Sequence, residues 1–462
     1  MLFNTPAFWV FFVAVYLGYI ALLGTRSARL WLLLAASLFF YGLWNPAFVL
    51  LLVFSIVVDY GAGRAMLDAT PRRKRGLLVA SLAVNLGALA VFKYSNFFTQ
   101  SIVNPTLAGF DVDVVVPKLD VILPVGISFY TFQSMSYTID VYRGRFAPRR
   151  DFLRFATSIA LFPQLVAGPI VRAADLLPQM ETGPRIDWAR SKRGLVLIAA
   201  GLLKKTLADL LAPVAEAGFD GDRATSLLES WSAVVAFAGQ IYCDFAGYTD
   251  IAIGLGLMLG FAFPRNFDLP YLADSPIDFW RRWHVSLSSW LRDYLYIPLG
   301  GKLHRYRNVL VTMVLGGLWH GANFTFLAWG FYHGLLLMAA HGLRDRLGDR
   351  LPALPRALRV GGTFYLVLVG WVFFRATSLD GAFAMLARLH GSTLDVAPAA
   401  HAPLEALLVV VALGGSHALD ALVRDRCAWI ERPLVYWPAL ATGFAIALLW
   451  GGTGQEFIYF RF

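Results

Sequence analysis

The chain has 462 residues, of which 58% are apolar and 15% are charged, and its mean hydropathy is +0.60. Soluble globular proteins carry about 25% charged residues, so this chain has too few charges to cover the surface of a soluble protein of its size. The composition excludes a cytosolic enzyme, a disordered chain and a fibrous protein. It predicts a single polytopic membrane domain over residues 1–462, built from α-helices.

The charge balance is basic, with 40 Lys and Arg against 30 Asp and Glu and a net charge of +10. The basic residues lie in loops between apolar runs, as the positive-inside bias requires, so the excess does not indicate nucleic acid as a partner. The two cysteines, Cys243 and Cys427, are far apart and form no CxxC motif. They predict neither a disulfide framework nor a zinc site.

Apolar runs follow one another along the whole chain. Residues 1–25 lack the basic start and cleavage site of a signal peptide, so we expect a retained first span. The run at 308–343 is too long for one span and is predicted to hold two helices. We expect about eleven transmembrane helices plus short re-entrant or horizontal helices. The other uncharged runs lie at 30–58, 76–92, 121–139, 155–171, 230–243, 251–264, 360–374, 406–419 and 433–455.

Two early basic clusters orient the first helices. They are Arg26 with Arg29 and the run at residues 72–75, and Trp44-Asn45-Pro46 lies between them. If that tripeptide is a turn, both clusters lie on the same side of the membrane, and if it is a kink, they lie on opposite sides. The positive-inside rule favours the turn. We therefore expect residues 72–75 in the cytoplasm and the amino terminus outside it.

Residues 266–307 are the least membrane-like part of the chain, because they combine many charges with many aromatic rings. We expect helices that lie at the membrane interface there, and loops at 347–359 and 391–403. Ser275 and Pro276 form a helix-start pattern. The spacing after it predicts one amphipathic helix through residue 296. Its apolar stripe holds Trp280, Trp283, His284, Leu287 and Leu291.

His284 is the one polar side chain on that predicted stripe. A buried, hydrogen-bonded histidine and a functional histidine both fit this position. A second histidine, His320, lies inside the uncharged run at 308–343 with glycine on both sides. An ionisable residue at membrane depth is a candidate functional site, and histidine is the usual general base near neutral pH. A structural histidine that bonds across helices is the alternative.

Other chemistries find less support in the sequence. His304, His333 and His341 make neither an i,i+4 histidine pair nor an HExxH motif, so we predict no metal site. Cys243 has Asp244 beside it, which raises rather than lowers the pKa of a thiol, so it does not suggest a nucleophile. The GxSxG motif of hydrolases is absent from the sequence.

Asp244 and Asp250 lie within another apolar stretch, where an acid is costly unless it is paired or faces water. One hypothesis gives them a structural role, with Tyr242, Tyr248 or Gln240 as partners, and we favour it. The other gives them an ion path in a transporter. A transporter would show inverted repeats, and we see none in the sequence.

These residues, taken with several sequence blocks in order, resemble the membrane-bound O-acyltransferase (MBOAT) family, in its bacterial branch of the alginate O-acetylase type. Each block alone is weak evidence, and their joint occurrence is specific. The blocks are residues 123–133, 162–164 with 167–169, 244–250, 264–267, 278–288 with 290–298, 317–322 and 457–462.

The resemblance implies a helical bundle around a central funnel, with His320 as the essential histidine and His284 as the second motif histidine. It implies acetyl transfer from cytoplasmic acetyl-CoA for O-acetylation of an extracytoplasmic polysaccharide, most simply an alginate-like one. It further implies a bacterial inner-membrane protein, an extracytoplasmic acetyltransferase or acceptor protein as partner, and no tightly bound cofactor. D-alanyl transfer to teichoic acid and peptidoglycan O-acetylation remain open within the same class.

Overall fold

The computed structural model describes residues 2–166, 168–220, 225–348, 354–392, 397–423, 432–450 and 457–458. Within these ranges the regular structure is entirely helical, as the sequence predicts. The chain divides into two compact units. The first comprises Met1–Ser191 with Leu255–Pro264, and the second comprises Lys192–Gly254 with Arg265–Phe462. The prediction of one membrane domain over the whole chain stays a prediction.

The first unit holds the early helices. Helix α4 continues through short helical turns as far as Gly109. The helices are α1 (Pro6–Ala21), α2 (Arg26–Gly42), α3 (Pro46–Ala65), α4 (Pro71–Leu89), α5 (Ile127–Tyr142), α6 (Phe152–Ala160), α7 (Phe162–Leu165) and α8 (Ala173–Thr182).

The later helices include two of 32 residues each, α9 (Trp188–Phe219) and α10 (Leu227–Met258), and most of each lies in the second unit. The others are α11 (Pro276–Arg282), α12 (Val285–Leu291), α13 (Arg305–His320), α14 (Phe324–Leu347), α15 (Arg356–Arg375), α16 (Leu379–Ala387), α17 (Ala402–Val423) and α18 (Pro433–Trp450).

Several helices are long and apolar enough to cross a membrane. In the described ranges five helices satisfy both conditions, and they are Pro46–Ala65, Pro71–Gly109, Phe324–Leu347, Arg356–Arg375 and Ala402–Val423. The prediction of a polytopic helical protein is thus confirmed, while the count of about eleven spans and the funnel stay predictions. The two helices expected in the run at 308–343 are present as α13 and α14.

Helix α2 ends at Gly42, and α3 begins at Pro46 with the Asn45 side chain accepting a hydrogen bond from the Ala47 N–H at 2.9 Å. Residues 43–45 therefore separate two helices. The side of the membrane on which each basic cluster lies stays a prediction.

The loop predicted at 347–359 is shorter at both ends in the structure, because α14 includes Leu347 and α15 begins at Arg356. Residues 393–396, within the second predicted loop, lie outside the described ranges.

A buried carboxyl group lies at the centre of the first unit, where α3, α4 and α5 meet. Asp59 is fully buried and accepts hydrogen bonds from the Ser81 hydroxyl at 2.5 Å and from the Asn85 amide at 3.0 Å to each oxygen. Ser55 donates to Asn85, and Ser81 also contacts Thr138 on α5. No cationic side chain of the described part pairs with Asp59, so neutral donors alone satisfy it.

We expect Asp59→Ala to destabilise the protein by about 1–3 kcal/mol, because the buried donors of Ser81 and Asn85 lose their acceptor. The unfolding midpoint in detergent, followed by fluorescence, measures this effect. Asp68→Ala is the matched control, since Asp68 is exposed just beyond α3. Equal midpoints for the two variants would contradict the structural importance of this cluster.

Candidate active site

Glycines bring α9 and α10 into backbone contact in the second unit. A Cβ atom on Gly201 would lie 2.5 Å from the Gly247 carbonyl oxygen, and one on Gly254 would lie 2.5 Å from the Gly194 carbonyl oxygen. Any side chain at these positions would push the two helices apart, as at the small-residue contacts of membrane helices. The close approach allows lysines on α9 to reach acids on α10.

Two buried lysines pair with the two acids singled out from the sequence. The Lys205 ammonium lies 2.9 Å from the Asp244 carboxylate, and the Lys204 ammonium lies 2.5 Å from the Asp250 carboxylate. Lys204 also pairs with Asp420 on α17. The lysines are only 1–2% exposed. Each buried charge therefore has an opposite charge beside it, which such burial requires.

The partners expected for these acids from helical spacing were wrong. The sequence suggested Gln240, Tyr242 and Tyr248, yet the ion-pair partners of Asp244 and Asp250 are lysines on α9. Spacing along a helix finds only partners on the same helix, and the partners here come from another one. The pairing is what a structural role for the two acids needs.

The predicted amphipathic helix begins as expected, because the Ser275 hydroxyl accepts the Asp278 N–H at 3.2 Å and Pro276 occupies the first turn. The prediction that it continues unbroken to residue 296 was wrong. Helix α11 ends at Arg282, and His284 adopts a left-handed backbone conformation with φ 44° and ψ 53°. His284 therefore lies at a break between two helices instead of on a continuous stripe.

Asn266 holds this break. Its backbone oxygen accepts the Val285 N–H at 2.9 Å, and its side-chain oxygen accepts the Ser286 N–H at 3.2 Å and the Ser286 hydroxyl at 2.5 Å. Asn266 is fully buried. These bonds satisfy the first N–H groups of α12, which a continuous helix would have bonded internally. A non-glycine residue in the left-handed region persists where its surroundings fix it in this way.

The His284 ring is fully buried against aromatic side chains. The ring of Phe245, on α10, lies edge-on with a centroid distance of 4.6 Å, and that of Trp319 lies 6.1 Å away. Within the described ranges neither ring nitrogen of His284 has a hydrogen-bond partner. Burial lowers the pKa of His284 to about 3. The ring is therefore neutral at physiological pH, with one nitrogen able to donate and the other able to accept.

His320 is the last residue of α13, at the turn into α14. Helices α13 and α14 pack with backbone contacts at Gly317 and Gly330, where a Cβ atom would overlap the facing helix. Gly321 likewise leaves room for the ring of Phe326. Asn323 then caps α14 by accepting the N–H of Thr325. The glycines around His320 therefore serve a tight helical hairpin.

The structure brings His284 and His320 together, with ring centroids 6.3 Å apart. His320 is 4% exposed, and its ring also lies edge-on to Trp329 and Phe374 at 5.2 and 5.3 Å. All these residues belong to the second unit. Two imidazoles at this separation can both contact one small reacting group, and aromatic rings surround them.

No three His, Cys, Asp or Glu side chains of the described ranges are placed to share a metal ion. His333 lies on α14, buried against Trp329 and Phe279. Cys243 is a buried free thiol, and Cys427 lies outside the described residues.

Sequence reasoning missed Lys204, Lys205 and Asn266. Two adjacent lysines in an otherwise apolar stretch indicate buried acid partners, so the sequence alone could have identified these two lysines. Asn266 gives no such signal, because its role depends on the break between helices α11 and α12, which the spacing of residues does not reveal. Phe245 was likewise part of a recognised block without a predicted contact.

Similarity to known proteins identifies the family of this chain. The model of the MBOAT, membrane-bound O-acyltransferase, family matches residues 149–379, a range that contains both histidines. The chain is 43% identical to a protein of Azotobacter vinelandii named "Probable alginate O-acetylase AlgI", over 84% of this chain and 78% of the relative.

It is also 36% identical to the "Peptidoglycan O-acetyltransferase" of Helicobacter pylori, over 85% of this chain and 80% of the relative. It is 26% identical to the "Teichoic acid D-alanyltransferase" of Streptococcus thermophilus, over 54% and 68% of the two chains. The helical fold, the family match and the extent of these similarities lead to one conclusion: this chain is a multi-pass membrane acyltransferase that belongs to the membrane-bound O-acyltransferase family.

Proposed function

We propose that this protein moves acetyl groups from cytoplasmic acetyl-CoA for O-acetylation of an extracytoplasmic polysaccharide, with His320 as general base. The observation that carries the proposal is the buried pair of His320 and His284, 6.3 Å apart within the range that the family model matches. The relatives named for alginate support an alginate-like exopolysaccharide as the polymer.

The proposed reaction uses His320 to accept the proton of an attacking hydroxyl group. As the proton leaves, the hydroxyl oxygen bonds to the carbonyl carbon of the thioester, and the carbon–sulfur bond breaks. Protonated His320 then returns its proton to the departing thiolate, so that CoA leaves as a thiol. His284, as a neutral ring, donates a hydrogen bond towards the carbonyl oxygen that gains charge. The surrounding aromatic rings limit hydrolysis of the thioester by water.

The hydroxyl group belongs either to the sugar itself or to an extracytoplasmic partner protein that completes the transfer. The thioester is made in the cytoplasm and the polymer lies outside, so the reaction needs a passage that reaches the histidines from both sides. Basic cytoplasmic loops attract the phosphates of the donor. Acetyl-CoA acts as a substrate, and we propose neither a tightly bound cofactor nor a metal.

Peptidoglycan is the alternative acceptor, favoured by the 36% identity to the Helicobacter pylori acetyltransferase over most of both chains. D-alanyl transfer has weaker support, since the identity to the Streptococcus thermophilus D-alanyltransferase is only 26%, over about half of this chain.

Radiolabelled acetyl-CoA supplied to membranes, with and without extracytoplasmic partner proteins, identifies the product. Label in an exopolysaccharide supports the proposal. Label found only in peptidoglycan would show that peptidoglycan, and not an exopolysaccharide, is the acetylated polymer. Acetyl transfer is contradicted if membranes with this protein form no more labelled product than membranes that lack it.

We expect His320→Ala to abolish acetyl transfer while the protein still folds, because alanine has no group that can accept the proton of the hydroxyl. Labelled product per folded protein measures the loss. His341→Ala is the control, as His341 lies on the neighbouring helix α14 and is only partly buried. Polymer acetylation at the level of the unaltered protein in cells that carry only the His320→Ala form would contradict the assignment.

We expect His284→Gln to lower turnover by about 100-fold or more, the scale of a lost hydrogen bond to a developing oxyanion, with an unchanged unfolding midpoint in detergent. The reason is that glutamine carries its N–H donor at the end of a flexible chain, so it does not hold the donor in the position and direction of the ring N–H of His284. His333→Gln is the matched control, since His333 is equally buried but packs against Phe279 and Trp329. Unchanged turnover, or activity lost only in proportion to folded protein, would make His284 a structural residue.

We also propose that the protein lies in the bacterial inner membrane with its amino terminus outside the cytoplasm and residues 72–75 inside. A cysteine introduced at residues 72–75, in the first turn of α4, is expected to resist a membrane-impermeant thiol reagent in cells with a permeabilised outer membrane. The same cysteine becomes labelled after lysis. Labelling in intact cells would reverse the proposed orientation.

A further inference from the structure

Phe457 and Ile458 lie against α10, and Asp244 holds them there. The Asp244 carboxylate accepts the Ile458 N–H at 2.6 Å through one oxygen, while its other oxygen lies 2.9 Å from the Lys205 ammonium. Phe457 and Ile458 are 0% and 5% exposed. The reaction proposed above gives this contact no role.

A line of ring contacts runs from this segment to the candidate active site. The Phe457 ring lies 4.4 Å from that of Tyr248 and 6.1 Å from that of Phe245, by centroids. Phe245 in turn lies edge-on to His284 at 4.6 Å. Phe245 is fully buried, so a shift of Phe457 changes the packing of the ring that contacts His284.

We propose that Asp244 is a positioning residue for the active site. By fixing the backbone of Ile458 it holds Phe457 against α10, and the contact from Phe457 through Phe245 sets the position of His284. This inference rests on the proposed function of His284. Misplacement of a catalytic group by about 1 Å can cost about 100-fold in rate, so a contact this far from the reaction can govern turnover.

The two tasks of Asp244 can be separated by substitution. Asp244→Asn removes the charge that faces Lys205 but keeps an oxygen that can accept the Ile458 N–H. Asp244→Leu has a similar size and removes both. Lys205 keeps a counter-ion in either variant, because Asp209 lies 2.7 Å from it. A difference between the two variants therefore reports the bond to Ile458.

Asp250 provides the matched control on the same helix. It pairs with Lys204, which keeps Asp420 as a counter-ion when Asp250 is neutralised. The hydrogen bond from Ile458 goes to Asp244, while the ion pair of Asp250 is with Lys204. Asp250→Asn and Asp250→Leu thus test the general cost of losing a buried ion pair.

Turnover with acetyl-CoA, per folded protein, is the first measurement. We expect Asp244→Asn to remain within about threefold of the unaltered protein, and Asp244→Leu to lose about 10-fold or more in kcat with little change in KM. Both Asp250 variants keep their turnover per folded protein. Phe457→Ala, which leaves the ion pair intact, is expected to lower kcat in the same way and serves if Asp244→Leu does not fold.

The second measurement does not depend on catalysis. Ile458→Cys in a background with Cys243→Ser and Cys427→Ser places one thiol in the segment and keeps its backbone N–H. We expect slow maleimide labelling when Ile458→Cys is the only further change, and equally slow labelling when it is combined with Asp244→Asn or with either Asp250 variant. Labelling becomes at least about 10-fold faster with Asp244→Leu, because the segment loses its hydrogen bond and opens locally.

Two results would overturn the proposal. One is equal turnover and equal labelling for Asp244→Leu and Asp244→Asn, and the other is an equal loss of turnover in Asp250→Leu. If the unaltered protein transfers no acetyl group while the labelling pattern holds, the proposed function fails and the anchoring of the segment by Asp244 stands. If acetyl transfer occurs and the labelling pattern is absent, only the positioning role fails.

Discussion

The pairing of buried lysines with buried acids between α9 and α10 is the constraint on which the second unit depends. An unpaired charge in such surroundings costs several kcal/mol. Asp250 and Asp244 on α10 supply counter-ions to Lys204 and Lys205, in addition to Asp420 and Asp209. The glycines at 194, 201, 247 and 254 allow the backbones to approach closely enough for this. The face of α10 that carries Phe245 is thereby fixed, and Phe245 is the ring that meets His284.

Two different local devices then present the histidines. Asn266 stabilises a left-handed backbone conformation at His284, and the glycine-lined hairpin of α13 and α14 places His320 at a helix end. His284 lies at a break between two helices, and His320 is the last residue of its helix, so neither lies in a helix interior. A side chain at a break is held by its neighbours on either side, which suits a group that must keep its position to within a fraction of an ångström.

The parts of this structure that could be predicted from the sequence are those set by local pattern. The helical class, the two helices within 308–343 and the cap at Ser275 follow from hydropathy and helix-start chemistry. The two candidate site residues, His284 and His320, were found from the sequence blocks that contain them. Their separation along the chain does not reveal that their ring centroids lie 6.3 Å apart. The pattern failed where distant residues decide the outcome. Asn266 breaks a helix whose own sequence is consistent with continuation, and the lysines of α9 replace the expected same-helix partners of Asp244 and Asp250.

We propose that acyl transfer takes place at the buried imidazoles of His284 and His320, which aromatic rings surround. A structure of the protein in lipid with a non-hydrolysable acetyl-CoA analogue tests this claim most directly. We expect the acyl carbonyl carbon about 4–5 Å from a ring nitrogen of His320, which leaves room for the attacking hydroxyl oxygen within about 3–3.5 Å of both atoms, with the carbonyl oxygen towards His284. An analogue that binds with its acyl group away from both histidines would contradict it.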